Sequence, residues 1–175
     1  TAISGFDALA TAPADTDEFL ISDGGVLKRL DASLVGGGGK VLQAVEGVLT
    51  SQVSTDLTSY TQSNLEVNIT PSATTSKILV MTSFIGGTSR GNQTAFYTIY
   101  RDSTNLSSND MAIIYDADNG NDELRLPFSM QVLDSPSTTS QITYEVYFKI
   151  NNGSYTAKMN PGPKRASIIA IEIGA

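Results

Sequence analysis

From Lys40 to the C-terminus the chain is one extended-strand signal after another, each closed by turn residues, and that pattern calls for packed β-sheets. The cleanest stretch places Ile142, Tyr144, Val146, Phe148 and Ile150 on one side, with Thr143, Glu145, Tyr147 and Lys149 between them. A period of two is the mark of a half-buried strand. Leu65, Val67 and Ile69 alternate in the same way with Glu66, Asn68 and Thr70 before Pro71-Ser72 ends the run. A third run differs: Ile78, Val80, Thr82 and Phe84 share one face, and Leu79, Met81, Ser83 and Ile85 the other. A strand apolar on both faces should be covered on both. Further runs cover Val41–Val45, Phe96–Tyr100, Met111–Tyr115, Leu124–Leu133, Tyr155–Met159 and Ala166–Ile173. Pro127 calls for an edge position or a bulge in its run, because proline donates no ladder hydrogen bond. Ser and Thr make up 39 of the 175 residues, a composition that suits strands and turns. No segment reads as a long helix. The expected fold is all-β: a jelly-roll-like sandwich of eight to ten antiparallel strands.

The first 35 residues read differently. Phe19-Leu20-Ile21-Ser22, the turn Asp23-Gly24-Gly25, and Val26-Leu27-Lys28-Arg29-Leu30 form a strong hairpin signal. A lone hairpin is not stable in water, so copies from other subunits are its natural packing partners. Gly36 to Gly39 are consecutive glycines, which read as a flexible joint. A phosphate-cradling loop fits poorly there, since Val41 stands where Ser or Thr should and no strand–loop–helix surrounds it. The expected organisation is a stalk segment over 1–35, a linker over 36–39 and a jelly-roll-like domain over 40–175. The chain opens on Thr1 rather than Met, which reads as a piece of a longer or processed polypeptide.

Composition removes several functions. With no His and no Cys, the usual zinc, haem and iron–sulfur ligand sets are missing, and so are Ser-His-Asp and Cys-His sites. No cofactor is expected. Eleven Lys and Arg against 18 Asp and Glu give a net charge of −7. The basic residues are scattered, so no nucleic-acid partner is expected. No apolar run is long enough for membrane insertion by a helix, and there is no signal-peptide pattern.

Several segments share a further likeness. Asp17-Glu18-Phe19 through Lys28-Arg29 resembles the acidic–apolar–Asp-Gly-Gly–apolar–basic hairpin that precedes the C-terminal head of phage tail fibres. Gly39-Lys40-Val41-Leu42-Gln43 is similar to the opening of head modules in marine, cyanophage-type fibre proteins. Asn68-Ile69-Thr70-Pro71-Ser72, with Ser76-Lys77-Ile78-Leu79-Val80, is similar to a stretch of the same modules. Arg165-Ala166-Ser167-Ile168 and Glu172-Ile173 match their ending. Residues 86–164 match in general strand-and-turn character. The resemblance implies a homotrimeric virion fibre, a tail fibre or surface fibre. Its parallel stalk would end in a trimeric head like those of complement and tumour-necrosis-factor proteins. That head would be non-enzymatic and would adhere to a bacterial surface receptor, a glycan or an outer-membrane protein, with other virion proteins as partners. The alternatives are a capsid or head-fibre knob, a monomeric carbohydrate-binding module, and a polysaccharide depolymerase.

Which loops face outward depends on the strand count. Ten strands, with the C-terminus returning to the stalk, point 71–75, 103–109, 134–140 and 160–164 outward. One missed strand would reverse the choice and favour 86–93, 116–122 and 151–154. The receptor-contact candidates are Asn105, Ser107, Ser137, Thr138, Tyr147 and Tyr155. Tyr147 lies on the polar face of its strand and Tyr155 follows a turn, whereas Tyr144 lies on the apolar face and reads as core. Asp116, Asp118 and Asp122 could offer oxygens to Ca²⁺. The EF-hand spacing fails, with Gly120 one place early and Pro127 at the twelfth position, so the loop reads first as a solvated turn around Asn119-Gly120. No pair of acids among Asp102, Asp110, Asp116, Asp118, Asp122, Asp134 and Glu145 is brought together by spacing as glycoside hydrolysis needs.

Overall fold

The computed structural model describes residues 18–31, 40–115, 122–162 and 164–174. The chain clusters into two compact units, Thr1–Lys40 and Val41–Ala175. The linker expected over 36–39 lies outside the described residues, as do residues 1–17.

In the first unit, β1 (Glu18–Asp23) and β2 (Val26–Asp31) pair antiparallel, with Asp23 opposite Val26. Gly24 and Gly25 form the two-residue turn, at φ +60° and +83°. Positive φ at both positions is what the type I′ hairpin turn requires. Lys28 pairs with Asp23 at 2.5 Å and Arg29 with Glu18 at 3.0 Å. Leu20 and Leu27 are 74% and 68% exposed, so the hairpin buries neither of them by itself.

The second unit is a two-sheet antiparallel sandwich with no helix among its described residues. One sheet runs β3 (Val41–Leu49), β13 (Ala166–Ile173), β6 (Lys77–Thr88), β12 (Ala157–Met159) and β4 (Val53–Thr55), with β10 (Leu124–Asp134) on the other flank of β6. The other runs β5 (Thr61–Ile69), β11 (Ile142–Ile150), β7 (Ala95–Arg101) and β8 (Thr104–Asn105), with β9 (Ala112–Ile114) also on β7. Successive long strands alternate between the sheets, as a jelly roll does. The short pieces β4, β8, β9 and β12 bring the unit to eleven strands among the described residues. β10 pairs with β6 alone, so Pro127 sits on an edge strand as expected.

The core lies between the sheets. Leu65, Ile78, Val80, Tyr97, Ile99, Val146, Phe148 and Ile168 are fully buried. Tyr97 carries a hydroxyl into this core and satisfies it there: it donates to the Lys158 carbonyl at 2.8 Å and accepts from the Gly87 N–H at 2.9 Å. At the sandwich edge, β3 crosses so close to β5 that a Cβ on Gly47 would lie 1.7 Å from the Glu66 carbonyl oxygen. Glycine is required at that crossing.

The two-faced strand 77–88 is covered on one side. Its Ile78, Val80 and Phe84 are buried, while Met81 is 40% exposed and Leu79 and Ile85 are half-buried. Across the ladder, Leu79 aligns with Ile171 and Leu133, and Met81 with Ile169 and Gln131. Ala44 aligns with Ile171 at the far edge. The outer face of this sheet therefore carries an apolar band over Leu79, Leu133, Ile169, Ile171 and Met81, flanked by Glu46, Gln131, Ser83 and Ser167.

Val41 pairs with Ile173, and Ile173 with Lys77, so the chain enters the sandwich beside its own C-terminal strand. At this end Glu172 turns inward, fully buried. It accepts from the Ser72 N–H at 2.6 Å, the Ser72 hydroxyl at 3.1 Å and the Gln43 amide at 2.6 Å. The Ser76 hydroxyl is buried beside it without a well-formed bond. Burial pushes the Glu172 pKa up, and the hydrogen bonds from Gln43 and Ser72, with the Ser76 hydroxyl close by, outweigh it, leaving the carboxyl below its ordinary value.

Loops 70–76 and 135–141 flank this same end. Loops 89–94 and 151–156 close the opposite end, where Asn151 N donates to Thr94 O and Ser89 N to Thr156 O, each at 2.9 Å. Residues 160–162, 164 and 165 do not join the first group, contrary to the ten-strand expectation. β12 and β13 run in line along β6, with Met159 opposite Gly86 and Ser167 opposite Ser83, so these residues interrupt one strand position. At the break the Asn160 amide donates to the carbonyls of Leu49, Ser51 and Lys164, while its backbone N–H still reaches the Ile85 carbonyl at 2.7 Å. The described loops farthest from the entering chain, 89–94 and 151–156, belong to the reversed assignment, whose residues 116–121 lie outside the described residues.

Candidate functional site

Three of the candidates named from sequence meet on the outer face of the smaller sheet. Tyr147 projects outward from β11, opposite Gln62 on one side and Thr98 on the other. The Thr98 hydroxyl donates to Asn105 Oδ1 at 2.9 Å and lies 3.0 Å from the Ser107 hydroxyl. Ser107 N also donates to Asn105 Oδ1, at 3.1 Å. These two side chains thus bond to each other and to the sheet, with β8 holding Asn105 opposite Tyr100.

Around them lies an aromatic cluster the sequence reading missed. The Tyr100 and Tyr147 rings stack at 4.0 Å, and Tyr60 leans on Tyr100 at 6.0 Å. The Lys149 ammonium sits 4.4 Å from the Tyr60 ring centre and 4.9 Å from that of Phe96. It also pairs with Asp110 at 3.7 Å, and the Tyr60 hydroxyl donates to the same carboxylate. Tyr60 precedes β5 outside any alternating pattern, so nothing in its neighbourhood signalled it. The outward set of β7 and β11 could have been read, since Phe96, Tyr100, Tyr147 and Lys149 fall on one side by strand periodicity. Burial, followed by Asp110, raises the Tyr60 pKa; burial and then Glu145 raise that of Tyr147. Both are therefore neutral hydrogen-bonding phenols at physiological pH.

Glu145 lies beneath this surface, 4% exposed. It accepts from the Gln62 amide at 3.0 Å and the Asn64 N–H at 2.9 Å. Burial dominates and raises its pKa above the ordinary 4.5. A raised folded pKa gives stability that is fully present below 4.5 and is lost as pH rises through the folded value. Glu145→Gln is expected to remove that loss, so the variant should gain on the parent as pH rises from 4 to 8. Urea midpoints across that range check it.

The remaining candidates are dispersed. Ser137, at φ +54°, and Thr138 lie in the loop beside the entering chain, and the Thr138 hydroxyl accepts from Ser140 N at 3.0 Å. Tyr155 lies at the opposite end, where its hydroxyl accepts from Arg90 Nη1 at 3.1 Å. The structure brings neither to the Tyr147 surface. Of the calcium candidates, Asp116 and Asp118 lie outside the described residues and Asp122 is exposed. Among the described residues no group of three acidic side chains is placed to hold a metal. The other acids are engaged: Asp134 with Arg101 at 2.8 Å and the Tyr144 hydroxyl at 2.7 Å, and Asp102 with Thr143 N at 3.0 Å. No described helix is long and apolar enough to cross a membrane.

No family model matches this chain, and no curated protein matches it in sequence. Solved structures with a related chain course include the VP2 subviral particle of infectious bursal disease virus. Identity to it is 11%, with a TM-score of 0.43, over 91% of this chain and 43% of that one. The Gt strain of the same virus gives 13% identity and a TM-score of 0.42, over 91% and 43%. T=1 particles derived from that virus give 13% and 0.42, over 91% and 42%. The chain spans less than half the length of these structures.

Proposed function

We propose that this chain is the C-terminal module of a virion fibre, a non-enzymatic homotrimer whose head adheres to a receptor on the host-cell surface. One observation carries the reading: the apolar outer face of the larger sheet. Leu79, Met81, Leu133, Ile169 and Ile171 lie side by side there, with Leu133 54% exposed. A contiguous apolar patch of this kind marks an interface. Around a threefold axis, three copies would cover it together and bring three copies of each weak receptor contact onto one head. Avidity then replaces individual affinity.

The segments resembling phage fibres support the same reading, as does the hairpin, whose leucines await other chains. The engagement of Asp102, Asp110, Asp134 and Glu145 in fixed hydrogen bonds favours binding over hydrolysis, since hydrolysis needs two acids free to face a sugar. The aromatic surface of the smaller sheet points away from the larger sheet and would remain accessible in such a trimer. Light scattering on a sizing column tests the reading directly. A mass of three chains is expected, and a single-chain mass would sink it.

A further inference from the structure

At the end of the sandwich away from the entering chain lies a groove of about 610 Å³. Its walls are Ile85, Leu126, Pro127 and Pro161; its polar groups come from Arg125 and Lys164. We infer that this groove binds an acidic saccharide, its carboxylate held between Arg125 and Lys164 and its ring C–H face resting on Pro127 and Leu126.

The arrangement of Arg125 carries the inference. Its Nε and Nη2 fork onto the Glu123 carboxylate at 2.9 and 3.1 Å. That fixes the guanidinium and leaves Nη1 turned toward Gly162. A Cβ at position 162 would lie 3.0 Å from Nη1. Gly162 also adopts φ +67°, so glycine is the residue that lets the guanidinium reach across. Glu123 does not compete for the ligand's place, because Lys158 holds it from its other side at 2.9 Å. Lys164 is exposed, and its ammonium forms no ion pair with a described residue. Its backbone is anchored, with its carbonyl accepting from the Asn160 amide at 2.8 Å and its N–H donating to Asn160 Oδ1 at 3.3 Å.

The groove thus presents Arg125 and Lys164, with Lys158 neutralising Glu123 behind them, in a chain whose net charge is −7. A local cationic site on an acidic protein selects anions by position. A guanidinium already held flat offers a charge-assisted hydrogen bond at little ordering cost. Proline and leucine beside two cations match a ligand that is apolar on one face and anionic at one edge, as a uronic acid is. Inorganic anions would gain nothing from the apolar walls. That this saccharide is a host-surface receptor rests on the adhesion reading above; the binding chemistry does not.

Titration calorimetry of the full chain with trigalacturonate, beside its carboxyl-reduced counterpart, tests the groove. The acidic form should bind, and the reduced form should bind about tenfold more weakly or not at all, the loss expected of one charge-assisted contact. Arg125→Gln and Lys164→Gln should each weaken binding to a similar degree, while Lys77→Gln, an exposed lysine at the opposite end, should not. Lys164→Gln removes an unpaired surface charge and keeps the test valid should Arg125→Gln disturb the fold. Failure of trigalacturonate to bind, equal binding of the reduced form, or indifference to both substitutions overturns the inference. A three-chain mass with no uronate binding removes the groove alone. Uronate binding by a single-chain species removes the fibre reading and leaves the groove.

Discussion

Replacing Glu172 with alanine is expected to lower the stability of the sandwich by about 3 kcal/mol, the cost of losing three hydrogen bonds to one buried carboxylate. The Ser72 N–H, the Ser72 hydroxyl and the Gln43 amide all point at this one carboxylate. The carboxylate itself is fully buried, while Ser72 is exposed and Gln43 half-buried, and the Gln43 amide also donates to the Thr70 carbonyl at 2.7 Å. Domains of this size hold about 5–15 kcal/mol in all, so the loss is a large share. Glu172→Gln should cost less, since its amide oxygen can serve one donor while its NH₂ faces another.

The pH dependence separates this bond set from simple packing. The folded pKa of Glu172 lies below its ordinary 4.5. A depressed pKa contributes stability that is present above 4.5 and is lost as pH falls through the folded value. The gap between parent and Glu172→Gln should therefore be full at pH 7 and should narrow below pH 4.5. Urea unfolding at pH 7, 4 and 3 reads it. A gap unchanged over that range would mean that the carboxylate's charge does not hold this end of the sandwich.

The residues that meet at Glu172 show what a sequence can and cannot carry. Gln43, Pro71-Ser72, Ser76 and Glu172-Ile173 lie in separate stretches of the chain. Each reads locally as the start or stop of a strand, and period-two alternation was enough to place it. Their convergence was not legible, because Gln43 and Glu172 stand 129 positions apart and Ser72 and Glu172 stand 100 apart. The alternating strand 142–150, the hairpin at Gly24-Gly25 and the edge strand with Pro127 were legible, since turn chemistry and face periodicity are local properties. The break between β12 and β13 was not. Pro161-Gly162-Pro163 has the composition of a turn between strands, and the Asn160 amide bonds beside it reach back more than a hundred residues. That one element reversed which loops lie far from the entering chain. It also formed the groove at Arg125, in a region where proline and glycine read as mere punctuation. Tyr147, Asn105 and Ser107 were named from face and loop position. Tyr60 and Lys149 join them through tertiary packing that no spacing encodes.

The strand with two apolar faces was the plainest sequence signal of a partner, and it leads to the second large effect. Ile171→Lys is expected to convert a three-chain species into single chains, a threefold fall in mass by light scattering. Ile171 stands at the centre of the larger sheet's outer face, between Ala44 and Leu79. In a single chain the position is half-buried and faces outward, so a lysine there can extend its ammonium to water and leave the sandwich folded. Against a neighbouring copy the same ammonium would be buried without a partner, at a cost of several kcal/mol. In a closed ring each chain carries the substitution, so the penalty is incurred at every interface. Glu66→Lys, a comparable change on the outer face of the smaller sheet, should leave the mass unchanged. Persistence of the three-chain mass in Ile171→Lys would move the interface off this face. The hairpin and the aromatic surface of the smaller sheet would then be the apolar surfaces left to bring copies together.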